Sequence, residues 1–305
     1  MKLAVPDMVS NSYFPALAAV ELGFFRKEGL DVSLELLSPS DKAFDALRAG
    51  EVDFVGAEGH GALKSFPEWQ GVKLLCAQSQ GMYWFLVMRA DLGIKRGDLA
   101  AVRGRRIGAA PWVDLGLRRL LIEAGINPDR DVSIAPIPGT LELKVNTGVM
   151  AAKALEDHVV DGFWANGMGA ELAVRRGVGT ILLDVRRGDG PKGCFDYTTA
   201  CISAAATMVE RTPDTAAAAI RAVVATQAAL RKEPALAGKV GRALFPAEEA
   251  AAIGDIVARD LPYYQAAISE RSFSAMSQFA RDVGVLRGYP LYNDVVATKF
   301  HHLWA

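Results

Sequence analysis

Apolar positions recur along this chain with two alternating periods, and the switching between them predicts its architecture. Residues 1–6, Met-Lys-Leu-Ala-Val-Pro, read as a strand, and the run Tyr13-Phe14-Pro15-Ala16-Leu17-Ala18-Ala19-Val20 reads as a helix. Leu30-Asp31-Val32-Ser33-Leu34-Glu35-Leu36-Leu37 returns to the two-residue period, a second helical run spans 42–48, and Val52-Asp53-Phe54-Val55 is again strand-like. Strand, helix, strand, helix, strand is therefore complete by Val55.

The alternation continues. Residues 56–61 read as a loop leading to a short helix, 72–78 as a strand, and 82–89 as an apolar run rich in strand formers. A strand at 107–110 follows. Then come helix 115–124, strand 132–136, helix 141–156, strand 162–165, helix 168–176 and strand 180–185. Such βα alternation predicts mainly parallel sheets covered by helices. Gly188-Asp189-Gly190-Pro191-Lys192-Gly193 is the densest loop signal, and 198–204 reads as one more strand. From Glu210 onward the sequence is Ala-rich and helical, broken at Pro213, Pro234, Pro246 and Pro262.

The phrase E-L-G-F-F-R-K-E-G-L-D-V at 21–32, followed by A-L-R-A-G-E-V-D-F at 46–54, resembles the opening of ABC-importer substrate-binding proteins. The group resembled is the nitrate/sulfonate/taurine and thiamine-pyrimidine-precursor (hydroxymethylpyrimidine) family. The resemblance implies the α/β, two-lobed type II periplasmic-binding-protein fold, with two hinge crossings and closure on a small-molecule ligand. It places 1–88 with 199–305 in one lobe, the helical tail forming an apron on it, and 89–198 in the other, with the first crossing at about Met88 to Leu92. It further implies a monomer served by an ABC permease if exported.

At 305 residues and 51% hydrophobic, the chain has the length and the apolar content for a core in each of two lobes. A formal net charge of -1 with scattered Lys and Arg offers no field for a polyanion, so no nucleic-acid partner is expected. No stretch reaches the ~20 apolar residues of a membrane-spanning helix, so the chain is expected to be soluble rather than membrane-spanning. Cys76, Cys194 and Cys201 have no zinc or redox spacing and are expected as buried free thiols; a Cys194–Cys201 bridge requires side chains that a strand there need not bring together. Met1 leads directly into the first strand. The expected location is periplasmic if an export signal has been removed ahead of it, and otherwise cytoplasmic.

Ligands of open α/β sheets bind beyond the carboxyl ends of strands, where helix N-termini present free N–H groups. That rule selects loops 7–13, 38–41, 58–61, 80–84, 111–115, 138–141 and 164–168, joined by Asp196 and Tyr197. Within them Asn11 and Tyr13 are candidate ligand contacts, while Ser10 and Ser12 read as caps. Ser40 serves either as a helix cap or as a contact. Glu58 and His60 stand out because Gly59 and Gly61 permit close approach to the His. Tyr83, Trp84, Trp112 and Trp164 offer stacking surfaces. Asp114 and Glu142 either favour their helix N-termini or face the ligand, and Asn166 completes the set.

Acidic groups in these loops, with His60 the nearest cation, favour a planar nitrogen-containing or aromatic ligand over nitrate or a sulfonate. No G-x-S-x-G elbow, Rossmann or P-loop motif occurs, no metal-ligand spacing surrounds His60, and no cofactor is implied. The alternative is an enzyme on the same fold, a decarboxylase, hydrolase or pyrimidine-synthase-like protein using His60 and Glu58. The pyrimidine-precursor synthases similar to this family carry a Lys and a His in the corresponding loop and a later run of cysteines; here no Lys falls between Asp53 and Leu63, and Cys194 with Cys201 is not such a run. A cytoplasmic sensor is a third reading, although no output module is attached.

Overall fold

The computed structural model describes residues 1–142 and 144–305 and contains two five-stranded sheets. The first is built from β1 (Lys2–Val5), β2 (Ser33–Leu36), β3 (Phe54–Glu58), β4 (Val72–Ser79) and β10 (Ala200–Ala205), in the order β2-β1-β3-β10-β4. The second uses β5 (Phe85–Arg89), β6 (Arg106–Ala109), β7 (Ser133–Ala135), β8 (Gly162–Ala165) and β9 (Gly179–Asp184), in the order β7-β6-β8-β5-β9. In each sheet four strands share one direction. The exceptions are β10 and β5, each antiparallel to both its neighbours and each the strand by which the chain arrives from the other sheet.

Helices cover both sheets. Around the first lie α1 (Phe14–Glu21), the short α2 (Phe24–Lys27) and α3 (Ser40–Ala49); around the second lie α4 (Asp114–Glu123), α5 (Thr147–Glu156) and α6 (Gly167–Arg175). After β10 come α7 (Ala206–Arg211), α8 (Pro213–Lys232), α9 (Leu236–Leu244), α10 (Ala247–Asp260), α11 (Glu270–Asp282) and α12 (Tyr292–Val295). Pro213 opens α8, Pro234 separates α8 from α9, and Pro246 precedes α10, as a residue without an N–H should.

Three expectations shift. The chain leaves the first sheet at Ser79 and joins the second at Phe85, ahead of the expected Met88–Leu92, because β5 pairs with β8 and β9. The expected helix 141–156 begins only at Thr147: Lys144 has φ 66°, a left-handed conformation no helix continues through, and Leu141 and Glu142 are exposed turn residues. Leu143, within that stretch, lies outside the described residues. The C-terminal helices do not confine themselves to the first lobe. Whereas α8 packs on α1 and α2, α10 packs on α6, with Arg176 bonded to Glu248 at 2.6 Å and Arg175 to Asp255 at 2.7 Å.

All three cysteines are free and buried. Among the described residues no helix is long and apolar enough to cross a membrane.

Candidate functional site

The carboxyl ends of β1 and β3 face those of β6 and β8 across a cleft, because parallel strands that share a direction deliver their following loops to the same edge. The expected loop 56–61 is strand as far as Glu58, so this carboxylate is held by a fully buried strand and aimed at the cleft. The cavity there has about 460 Å³ of atom-free space, part of it open to solvent. It lies between the two lobes.

One wall is a hydrogen-bonded chain from the first lobe. Tyr13 Oη donates to Glu58 Oε2 at 2.9 Å and lies 2.6 Å from Tyr83 Oη. Since the Tyr13 proton is given to Glu58, the Tyr83 hydroxyl donates to Tyr13. Ser40 Oγ donates to Glu58 Oε1. Ser40 is the first residue of α3 rather than its cap, which is Pro39, so its hydroxyl serves the carboxylate instead. Burial raises the Glu58 pKa, against the lowering effect of these donors.

A second polar group joins the lobes. Asp7 Oδ1 accepts from the Val9 N–H at 3.1 Å, while Oδ2 accepts from the Gly148 N–H at 3.1 Å and from Asn166 Nδ2 at 2.7 Å. Asn166 is the N-cap of α6, its Oδ1 accepting from Met168 and Gly169 N–H groups at 3.0 and 3.3 Å. Those donors fix its amide orientation and leave Nδ2 for Asp7. Burial pushes the Asp7 carboxyl up to about 6 despite three donors.

The aromatic wall is formed by Tyr83, Trp84 and Trp164, with ring centroids 4.9 Å apart for Tyr83–Trp84 and 6.1 Å for Trp84–Trp164. Trp164 Nε1 donates to the Val113 carbonyl at 3.0 Å, which leaves the ring face as its contribution.

Seven sequence candidates thus line one cavity: Tyr13, Ser40, Glu58, Tyr83, Trp84, Trp164 and Asn166. Six stand outside its lining. Asn11 Oδ1 accepts from the Gly167 N–H at 3.1 Å while its amide donates to Asp260, so it ties α6 to α10. His60 is fully buried, with Nδ1 2.8 Å from Thr198 Oγ1 and Nε2 3.2 Å from the Trp112 carbonyl. A carbonyl only accepts, so Nε2 carries the proton and Nδ1 accepts from Thr198. Burial lowers the His60 pKa to about 4. Trp112 is half-buried at φ 70°; its carbonyl accepts from His60 and its ring lies 6.4 Å from the imidazole. Asp114 accepts from Arg118 at 2.7 Å, Glu142 is exposed ahead of α5 rather than in its first turn, and Tyr197 stacks on Phe279 at 4.9 Å. The cavity also takes in Asp7, Ser10 and Ser38, which lie in the selected loops without being singled out as contacts, and Thr147 and Gly148, which lie outside those loops. Among the described residues no group of three His, Cys, Asp or Glu side chains is placed to hold a metal ion.

Residues 10–237 match the family model described as NMT1/THI5 like. The chain belongs to the NMT1/THI5-like family. No curated protein matches its sequence. Among solved structures, the chain is similar to the ligand-binding component of an ABC-type import system from Staphylococcus aureus, with zinc bound. The TM-score is 0.74 at 12% identity, over 100% of this chain and 98% of that one. It is also similar to the periplasmic nitrate-binding protein NrtA from Synechocystis PCC 6803, with TM-score 0.73 and 14% identity over 99% and 86% of the two chains. The desulfurization enzyme DSZB gives TM-score 0.67 and 16% identity over 99% and 97%. The expected two-lobed α/β fold is therefore the fold of this family member, shared with import proteins and with an enzyme alike.

Proposed function

We propose that this NMT1/THI5-like protein is the solute-binding component of an ABC importer, closing its lobes on a small planar molecule that is nitrogen-containing or aromatic. The observation that carries the ligand class is the cavity lining. It contains two buried carboxylates, Asp7 and Glu58, and the rings of Tyr13, Tyr83, Trp84 and Trp164; among the described residues no Lys, Arg or His lines it. An anion about 4 Å from one ionised carboxylate meets roughly 4 kcal/mol of repulsion at an effective dielectric near 20. A neutral or basic heterocycle instead brings N–H donors to the carboxylates and a flat face to the indoles. The import relatives support a periplasmic site of action and a permease partner, and by the same resemblance a monomer.

The test is mass spectrometry of the purified protein before and after denaturation, followed by thermal shifts with aminopyrimidines, aromatic amines, nitrate and alkanesulfonates. Retention of, or stabilisation by, a heterocycle or amine is expected. Stabilisation by the anions alone would overturn the ligand class.

The enzyme reading keeps one supporting observation, the likeness in fold to DSZB. Of its two proposed groups only Glu58 lines the cavity, and none of the three cysteines does. Chemistry there would rest on carboxylates with raised pKa. Substrate consumption by purified protein, abolished in Glu58→Gln, is the result that would favour it.

A further inference from the structure

Two helices of the second lobe, α5 and α6, point their N-termini at the cleft, and such ends attract anions through unpaired N–H groups and the helix dipole. In this protein several of those groups are already taken by its own acceptors. At α6, the Gly167 N–H bonds Asn11, and the Met168 and Gly169 N–H groups bond Asn166. At α5, the Gly148 N–H bonds the carboxylate of Asp7.

The Asp7 carboxylate differs from the other two acceptors because it is charged and comes from the opposite lobe. Its Oδ2 sits where two second-lobe donors converge, Gly148 N at 3.1 Å and Asn166 Nδ2 at 2.7 Å. Both donors belong to residues of the cavity lining, and Asn166 is itself only 7% exposed. The convergence depends on Gly148: a Cβ there would lie 2.6 Å from Asn166 Oδ1 and 2.9 Å from Nδ2. One oxygen of the protein therefore stands in a place shaped for an oxygen of an anion.

We propose that Asp7 is the specificity-determining residue of the cleft, an internal anion that fills the oxyanion position of the second lobe and so excludes nitrate, sulfonates and carboxylates as ligands. The assignment rests on the cleft being the ligand site, as argued above, and it deepens that reading by naming the residue that rejects the anionic class. It acts twice. The carboxylate takes two converging donors, the Gly148 N–H and the Asn166 amide, from an incoming anion, and its charge repels one that approaches.

The test uses methanesulfonate and nitrate as probes, in calorimetry and thermal melts, on the native protein, Asp7→Ala and Asp7→Ser. Serine retains a hydroxyl for the Val9 N–H turn while vacating the Oδ2 position, so it covers a folding failure of the alanine variant. The native protein is expected to bind neither probe measurably, and a folded variant to bind at least one about tenfold or more tighter than native, a difference of about 1.4 kcal/mol. A folded variant with no gain overturns the assignment, as does a native protein that binds either anion as tightly as the variants. The two readings fail separately. A native protein that ignores heterocycles while the variants gain anion affinity refutes the ligand class alone; heterocycle binding without that gain refutes the role of Asp7 alone.

Discussion

His60 Nε2 lies 3.2 Å from the carbonyl oxygen of Trp112, so an imidazole rooted beyond β3 of the first lobe holds backbone of the second. With Nδ1 engaged by Thr198 and the ring edge-on to Phe279 at 5.2 Å, the side chain is fully employed as a structural strut. His60→Ala is expected to destabilise the protein by about 2–5 kcal/mol, the range for deleting a large buried side chain. Urea denaturation measures it, and an unchanged midpoint would remove the strut.

Proton linkage offers a finer check. Burial holds Asp7 up at about 6 from its usual 3.8, and holds His60 down at about 4 from 6.5. Asp7 contributes stability that is full below 3.8 and lost as pH rises through 6. For His60 the sense is opposite: stability is full above 6.5 and lost as pH falls toward 4. Between those limits the two slopes, each at most about 1.4 kcal/mol per pH unit, largely cancel. Relative to the native protein, Asp7→Asn should make stability climb more steeply between pH 4 and pH 6, and His60→Gln less steeply. Parallel stability profiles for all three proteins would contradict this.

The Tyr83–Tyr13–Glu58 chain has a direction, and substitutions should report it. Tyr13→Phe leaves Glu58 Oε2 without its tyrosine donor and Tyr83 without its acceptor, costing about 1–3 kcal/mol. Tyr83→Phe removes only the outer link and should cost less. Equal losses in thermal melts would mean the hydroxyls act independently.

Gly148→Ala should destabilise although alanine is the better helix former. The new methyl meets the Asn166 amide, which cannot retreat without abandoning the α6 cap or Asp7. Overpacking of this kind costs about 1–3 kcal/mol. Calorimetric melting gives the value, and small-angle scattering should show lobes that no longer close fully; a more stable, equally compact variant would count against the geometry.

Much of the fold was legible because the hydrophobic period records burial locally. Residues 162–165 form the strand their pattern predicts, and the proline breaks of the tail fall between helices. The start of α5 was not legible, since apolar spacing carries no sign of the left-handed turn at Lys144. For the cleft, loop position found Tyr13, Glu58, Trp84 and Trp164 but also proposed His60, whose glycine neighbours suggest access while its partners lie 52 and 138 residues away. Asp7 lies in a selected loop but for the same reason was not singled out: its cross-lobe donors are 141 and 159 residues distant, and nothing near it in sequence announces them.

The sheet orders bear on how the chain is made. The second sheet draws on strands between Phe85 and Asp184 alone, so its pairing is complete once that continuous stretch has left the ribosome. In the first sheet β4 pairs with β10 and, through Leu74, with Val296 in an isolated bridge, and both partners are synthesised more than 100 residues later. Until then β4 waits with an unpaired edge, the condition in which nascent strands aggregate. The inserted sheet can be paired during translation, and the sheet containing the chain's first strand must be finished after it.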